Sequence, residues 1–318
     1  MTVHTIKPER SMLHGHFSRD LPPVVMIDSG DTVVFRTIDG GWYVLENPNP
    51  FQEGTKFEPR NPEKDYGHAL GGPVFVRGAK PGMVLEVHIK AVQPGTWGWS
   101  VAGGWDSSFN RKLGMVEGKN WMGWSLDSKM GIATNQHGHT LKMRPFMGVM
   151  GMPPDEPDIH PTFPPRFCGG NLDCKELIAG TRLFLPIAVE GALFSTGDGH
   201  AVQGDGEVSG VAIECGMERV EMEFHLHPEM SLSFPRAYTA AGWLTFGFHE
   251  DLNQAWAIAL DGMLKWIGEQ YGLDRHSALN LASLTVDLRI TQVVNGVCGV
   301  HAVLPHGVLD GVKKATNI

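Results

Sequence analysis

Short apolar runs broken by glycine and proline dominate the chain. Val24-Val25-Met26-Ile27 passes through Asp28-Ser29-Gly30-Asp31 into Thr32-Val33-Val34-Phe35-Arg36-Thr37, which reads as a strand, a glycine turn and a second strand. The layout returns at Pro73–Val76, Gly78–Gly82 and Met83–Ile89, and more weakly from Leu177 through Ala179-Gly180 into Thr181–Ile187. Repetition of this unit predicts a mainly β fold with a sandwich- or barrel-like core. In Arg219–His227, Val220, Met222, Phe224 and Leu226 alternate with Glu221, Glu223, His225 and His227, the period of a half-exposed strand. Glu207–Glu214 reads as another strand, and Leu288–Val294 and Val300–Pro305 as the closing pair. Helical spacing is confined to one late stretch: Leu252, Ala255, Trp256, Ala259, Leu260, Met263, Trp266 and Ile267. Asp251 with Gln254 caps its start and Gly272 stops it. A second helix follows Asp274 and runs to about Leu284, giving a C-terminal helical hairpin packed on the β core.

Two stretches resist this reading. Residues 45–72 are rich in Pro, Asn and Gly, as in a connecting loop. Residues 94–135 interleave Trp97, Trp99, Trp105, Trp121 and Trp124 with Gly and Ser at neither period. They are expected to form a long aromatic-anchored loop region, or a pocket wall or subunit contact. The whole of 1–318 is expected to form one unit, divisible into an N-terminal β part (1–145) and a β part with the hairpin (146–318).

A formal charge of −9 with no Lys/Arg cluster excludes a nucleic-acid partner. No run approaches the length of a membrane span, and the N-terminus has no apolar leader-like run. The four cysteines show no CxxC pairing, so free thiols in a reducing compartment, the cytoplasm, are expected.

The density of chemistry peaks at Ser195–Glu207, where Gly-Asp-Gly-His and Gly-Asp-Gly-Glu follow one another. A stable strand would not choose this composition. In extended backbone Asp198 and His200 share a face, and so do Asp205 and Glu207. A single Gly-Asp step is an ordinary turn. The doubled motif with His and Glu points instead to a metal site, with a metal-activated water beside a carboxylate base. Asp173, after Gly169-Gly170-Asn171, is either an Asx turn or a ligand. His68, flanked by glycines before a strand, is placed to face a site. His14-Gly15-His16 reads as exposed histidines near a terminus, and the His225/His227 pair as a solvated face, with metal binding the alternative for each.

Taken in order, Ile27–Val33, Thr37-Ile38-Asp39-Gly40-Gly41-Trp42, His68–Pro73, Arg144-Pro145-Phe146 with Gly148–Gly151, Gly169–Cys174, the central motif and Asp287–Ile290 resemble the acetamidase/formamidase family over nearly the whole chain. The Trp-rich 94–135 stretch does not match the family pattern. The resemblance implies hydrolysis of short aliphatic amides to carboxylate and ammonia, a largely β fold, a homo-oligomer and a divalent metal. That metal is zinc, with a second ion such as calcium as an extension. On it, Asp173, Asp198, His200 and His68 are assigned to the metal. Glu207 is assigned to proton transfer, with Asp205 as its partner or as a second ion's ligand. Asp39 is an extra contributor drawn from the resemblance alone. Cys174 is weighed as a nucleophile against a structural thiol. Two alternatives stay open: a hydrolase of a larger amide or urea-like compound, and a non-catalytic metal- or ligand-binding β protein.

Overall fold

The computed structural model describes residues 1–44 and 55–312. Part of the loop expected over 45–72 therefore lies outside the described residues. Two large sheets carry the fold. The first has nine strands in the order Val3–Ile6, Thr32–Thr37, Met217–His227, Val84–Pro94, Arg182–Pro186, Arg236–Thr239, Gly242–His249, Cys298–Leu304 and Asp287–Gln292. All neighbours are antiparallel except the first pair. The second has eleven strands, and its main path runs Thr140–Lys142, Ile132–Asn135, Asn120–Asp127, Trp97–Ala102, Glu214–Cys215, Phe194–His200, Phe146–Gly151 and Gly169–Asn171. Leu70–Val76 branches from this path by pairing with Phe194–His200, and it holds Leu13–His14 and Val25–Ile27 as well.

Both sheets feed one apolar core. Val33, Phe35, Ile89, Leu185 and Phe246 from the first meet Phe194, Met147, Met150 and Ala133 from the second, all fully buried. Each such side chain contributes about 1.5–3 kcal/mol over its exposed state. Both sheets contain strands from before and after residue 146. In the first two glycine-turn units the turn carries the chain from the second sheet, Val25–Ile27 or Leu70–Val76, to the first, Thr32–Thr37 or Val84–Pro94; in the third only Arg182–Pro186 is a strand.

The helices Leu252–Tyr271 and Arg275–Thr285 form the hairpin. Asp251 caps the first by accepting from Asn253 N–H, and Gly272 ends it at φ 66°. Asp274 caps the second through His276 and Ser277 N–H. Ala255, Ala259, Met263 and Ile267 form the buried stripe against Val300, Ala302 and Leu304. The helix lies so close that a Cβ on Gly247 would strike the Ala255 carbonyl.

Two expectations are corrected. Residues 94–135 are not a loop region. Trp97–Ala102, Asn120–Asp127 and Ile132–Asn135 form an antiparallel meander, with a short helix Ser108–Leu113 inserted. Its period is blurred because glycines occupy inward positions and half-buried Trp97 and Trp121 stand outside. Glu207–Glu214 is not a strand: only Glu214-Cys215 pairs, because Gly206 and Gly210 turn the chain at φ 95° and 83°.

Candidate active site

Contrary to expectation for its composition, Phe194–His200 is a strand, buried at every residue. Glycine is required there by crowding: a Cβ on Gly199 would lie 2.6 Å from Met217 Cε and 2.7 Å from the Cys215 carbonyl. Asp198 itself has φ 59°, and Asp173 and Glu207 both have φ 45°. Left-handed backbone at three non-glycine acids costs about 1–3 kcal/mol each and concentrates at functional sites. Here all three converge.

His200 is the hub. Its Nε2 lies 3.3 Å from Asp198 Oδ2 and 3.2 Å from Glu214 Oε2, and its Nδ1 is 4.0 Å from Asp173 Oδ1. Glu214 is brought there by strand register, since it pairs directly with His200. Gln203 sets the ring's tautomer. Its Nε2 donates to the Asp173 carbonyl at 2.7 Å, so its Oε1 faces His200 Nδ1 at 2.9 Å and accepts the proton there. Nε2 is thus turned toward the carboxylates. Ligand atoms of Asp173, Asp198 and His200 lie within 4.8 Å of one another, as do those of His200, Glu207 and Glu214. Asn295 Nδ2 donates to Asp173 Oδ2 at 2.7 Å. Asp39 stands beside the group, accepting from Gly41 N–H and Trp99 Nε1, both at 2.8 Å.

Burying so many acids together separates their proton affinities. Burial pushes Asp173 up to about 7 against the pull of His200, and burial with the Glu214 charge lifts Asp39 to about 7. Burial, then the Asp173 charge, holds Glu207 well above the carboxylate range. Burial opposes ionisation of Asp198, but His68 and His200 outweigh it and hold the group well below that range. His200 is driven up by Glu214 and Asp198 despite its burial. The cluster is therefore split between ionised acceptors and a held proton, as acid–base work at one centre needs.

Asp173 Oδ1 and Glu207 Oε2 are buried with no hydrogen-bond partner. Such orphaned oxygens beside an imidazole nitrogen and further carboxylates fit a divalent cation. The candidate donors fall into two groups that share His200, Asp173 with Asp198 and Glu207 with Glu214. One imidazole with carboxylates suits zinc-type ions and harder ones alike.

Of the residues singled out from sequence, Asp173, Asp198, His200 and Glu207 are brought together. His68 lies on the cleft wall, its Nε2 4.0 Å from Asp198 Oδ2. Thr162 Oγ1 accepts from the His68 backbone N–H at 2.8 Å and lies 2.8 Å from its Nδ1, which fixes the ring on the wall. Asp205 is not brought to the cluster. It pairs with Arg289 at 2.6 Å and Lys175 at 3.2 Å, because Gly206 at φ 95° turns the chain between Asp205 and Glu207. Cys174 is fully buried and burial pushes its thiol up to about 12, which leaves it without the thiolate a nucleophile needs. His14 and His16 are buried, not exposed: His14 binds Ser195 Oγ and the His16 carbonyl, and His16 the Lys64 carbonyl. His225 and His227 are half-exposed and pair with Glu223 and Glu86. Glu214, Gln203 and Asn295 escaped the sequence reading. The alternation ending at Glu214 was visible, but nothing local marks its register with His200.

The cluster floors a cleft of about 270 Å³, walled by Trp42, His68, Trp99 and Phe163. That is below the span typical of drug-sized ligands, so the cleft suits a small ligand. Among the described residues no helix is long and apolar enough to cross a membrane.

Comparison with known proteins agrees with this geometry. A protein of Schizosaccharomyces pombe with a provisional formamidase name is 28% identical over 253 residues, 63% of this chain and 60% of that protein. The formamidase of Methylophilus methylotrophus is 25% identical over 278 residues, 69% of this chain and 64% of its own. The chain thus spans under two thirds of these curated relatives. The crystal structure of an acetamidase from Yersinia enterocolitica superposes with a TM-score of 0.82 at 26% identity, covering 96% of this chain and 93% of that one. Residues 2–161 and 157–310 match the acetamidase/formamidase family. With its buried acid–histidine cluster set in a shared fold, the chain belongs to the acetamidase/formamidase family.

Proposed function

We propose that this protein hydrolyses short aliphatic amides, of the acetamide and formamide type, to a carboxylate and ammonia in a metal-dependent reaction. The observation that carries the reading is the buried group of Asp173, Asp198, His200, Glu207 and Glu214, with two unpartnered carboxyl oxygens, at the floor of a small cleft. Zinc is the ion proposed, a second ion such as calcium being a further expectation. A cytoplasmic location rests on the free cysteines, and a homo-oligomer on the family resemblance.

An amide resists attack because resonance stabilises its carbonyl and its nitrogen leaves poorly. A divalent ion held by Asp173, Asp198, His200 and Glu214 supplies Lewis acidity toward a carbonyl oxygen and a water. The residues do the rest. Gln203 fixes His200 in the tautomer that offers Nε2. Asn295 orients Asp173. Glu207, in its ionised form, takes a proton from the attacking water and passes it to the departing nitrogen, so that ammonia leaves and not an amide anion; its raised proton affinity suits it to hold that proton between the two transfers. His68 Nε2 faces Asp198 and steadies its charge. The aromatic walls exclude bulk water, which strengthens each of these interactions. Asp205 is reassigned from catalysis to an ion-pair network with Lys175, Arg289 and, through Arg289, Glu176.

The test is ammonia release from formamide, acetamide, propionamide and urea. Turnover of the first three with urea inert supports the reading. Turnover of urea alone moves the substrate class, and silence on all four refutes the short-amide assignment.

A further inference from the structure

The cleft carries a cationic wall that hydrolysis of an unsubstituted alkyl amide does not use. Lys56 and Arg60 both line it. Lys56 is half-buried, sits 4.8 Å from the Tyr43 ring centroid, and makes no ion pair among the described residues. Arg60 lies over Trp42 with its guanidinium carbon 5.8 Å from the ring centroid. Its Nε is buried without a hydrogen-bond partner, and Glu58, the carboxylate beside it at 3.5 Å, is mostly exposed. The acid sharing this wall is already committed: Asp65 accepts from Arg10 at 2.9 Å and from Asn61 N–H at 2.8 Å.

The mostly exposed Glu58 offsets the charge of Arg60 only weakly, and two cations that face one small cleft raise each other's free energy. Burial makes this worse, and pulls the Lys56 ammonium below its ordinary range, Arg60 adding to it. A buried guanidinium N–H without an acceptor carries a desolvation cost that an incoming carboxylate removes, and arginine offers it paired donors. Asp198, Glu207 and Glu214 line the same cleft and repel that carboxylate, so the cations and the acids together sort a dipolar ligand into one orientation.

We propose that the cleft selects amides whose acyl chain ends in a carboxylate, half-amides of short dicarboxylic acids, with the amide toward Glu207 and the carboxylate against Lys56 and Arg60. This rests on the amidase reading above. It narrows the substrate from an alkyl amide to an anionic one, and assigns Lys56 and Arg60 as specificity-determining residues.

The experiment compares kcat/KM for succinamate with that for isocaproamide, which has the same shape without the charge. Two part-exposed charge contacts together give a preference of about tenfold for succinamate at low salt, shrinking as salt is added. Lys56→Met and Arg60→Gln each lower the ratio, and together they bring it to one. Because the readout is a ratio within one preparation, reduced yield of a variant does not imitate the effect. A second arm needs no turnover: butyrate and the neutral 1-butanol are titrated calorimetrically into the full-length protein. Tighter binding of butyrate that disappears in Arg60→Gln supports the inference. Equal kcat/KM for the two amides, or equal affinity for the acid and the alcohol, overturns it even where acetamide is hydrolysed. Hydrolysis of no amide together with a retained, Arg60-dependent butyrate preference overturns the amidase reading and leaves the anion-binding wall standing.

Discussion

Glu207→Gln isolates the proton-transfer assignment. Glu207 is buried, and its carboxyl is held well above the ordinary range by burial and then by Asp173. The shift favours its protonated form, whose volume and charge glutamine reproduces. The fold loses at most about 1 kcal/mol, the scale of one hydrogen bond. The sign at higher pH follows from linkage. A carboxyl whose folded pKa is raised contributes stability at low pH that is lost as the pH rises through the folded value. The variant lacks this loss and so is the more stable protein in alkali. Turnover behaves differently. Removing a positioned proton donor costs about 10²–10⁴-fold, or roughly 3–5 kcal/mol of barrier. The assay is ammonia release from saturating acetamide, with thermal melts and metal content measured on the same preparation. Turnover within about threefold of the parent, with full metal content, would refute the assignment.

Gly148→Ala tests the packing of the centre: an added Cβ would stand 2.5 Å from Asp198 Oδ2 and 2.8 Å from both Asp173 Oδ1 and His200 Cε1. Displacing these atoms by a fraction of an ångström is expected to cut turnover about 100-fold, with the circular dichroism spectrum retained. Asp205→Asn is expected to leave ammonia release near the parent value. Its ion pairs with Arg289 and Lys175 are partly exposed, so their loss lowers stability by about 1 kcal/mol, read from a chemical melt. Asp39, raised from 3.8 to about 7, stabilises the fold in its neutral form. That contribution is full in acid and is lost as the pH rises through about 7, with a slope of up to about 1.4 kcal/mol per pH unit. Melting temperatures taken across that range should fall for the parent, and fall less for Asp39→Asn.

The elements most legible from sequence were those whose signal is local. The caps Asp251 and Asp274, the stop at Gly272 and the glycine turns all lie within a few residues of the elements they delimit. The same is true of the Asp198/His200 pair, because side chains two apart on a strand share a face. That rule fails at Asp205 and Glu207. There the left-handed Gly206 and Glu207 turn one acid outward to Arg289 and the other into the cluster, and φ is not written in the alternation. Glu214 and Asn295 could not be found locally, since they reach the centre through strand register and a loop from the far end of the chain. The Trp-rich meander was hidden because aromatics occupy both of its faces, Trp97, Trp99 and Trp121 on one and the buried Trp124 on the other.

The central claim is that the Asp173–Asp198–His200–Glu214 group holds a metal on which amide hydrolysis depends. It is tested most directly by measuring metal per chain and acetamide hydrolysis on one preparation, before chelation, after chelation and after adding back single metals. The account requires activity to fall with the metal, to return with one added ion, and to be absent with the metal in Asp198→Asn. Undiminished ammonia release from a metal-free protein would contradict it.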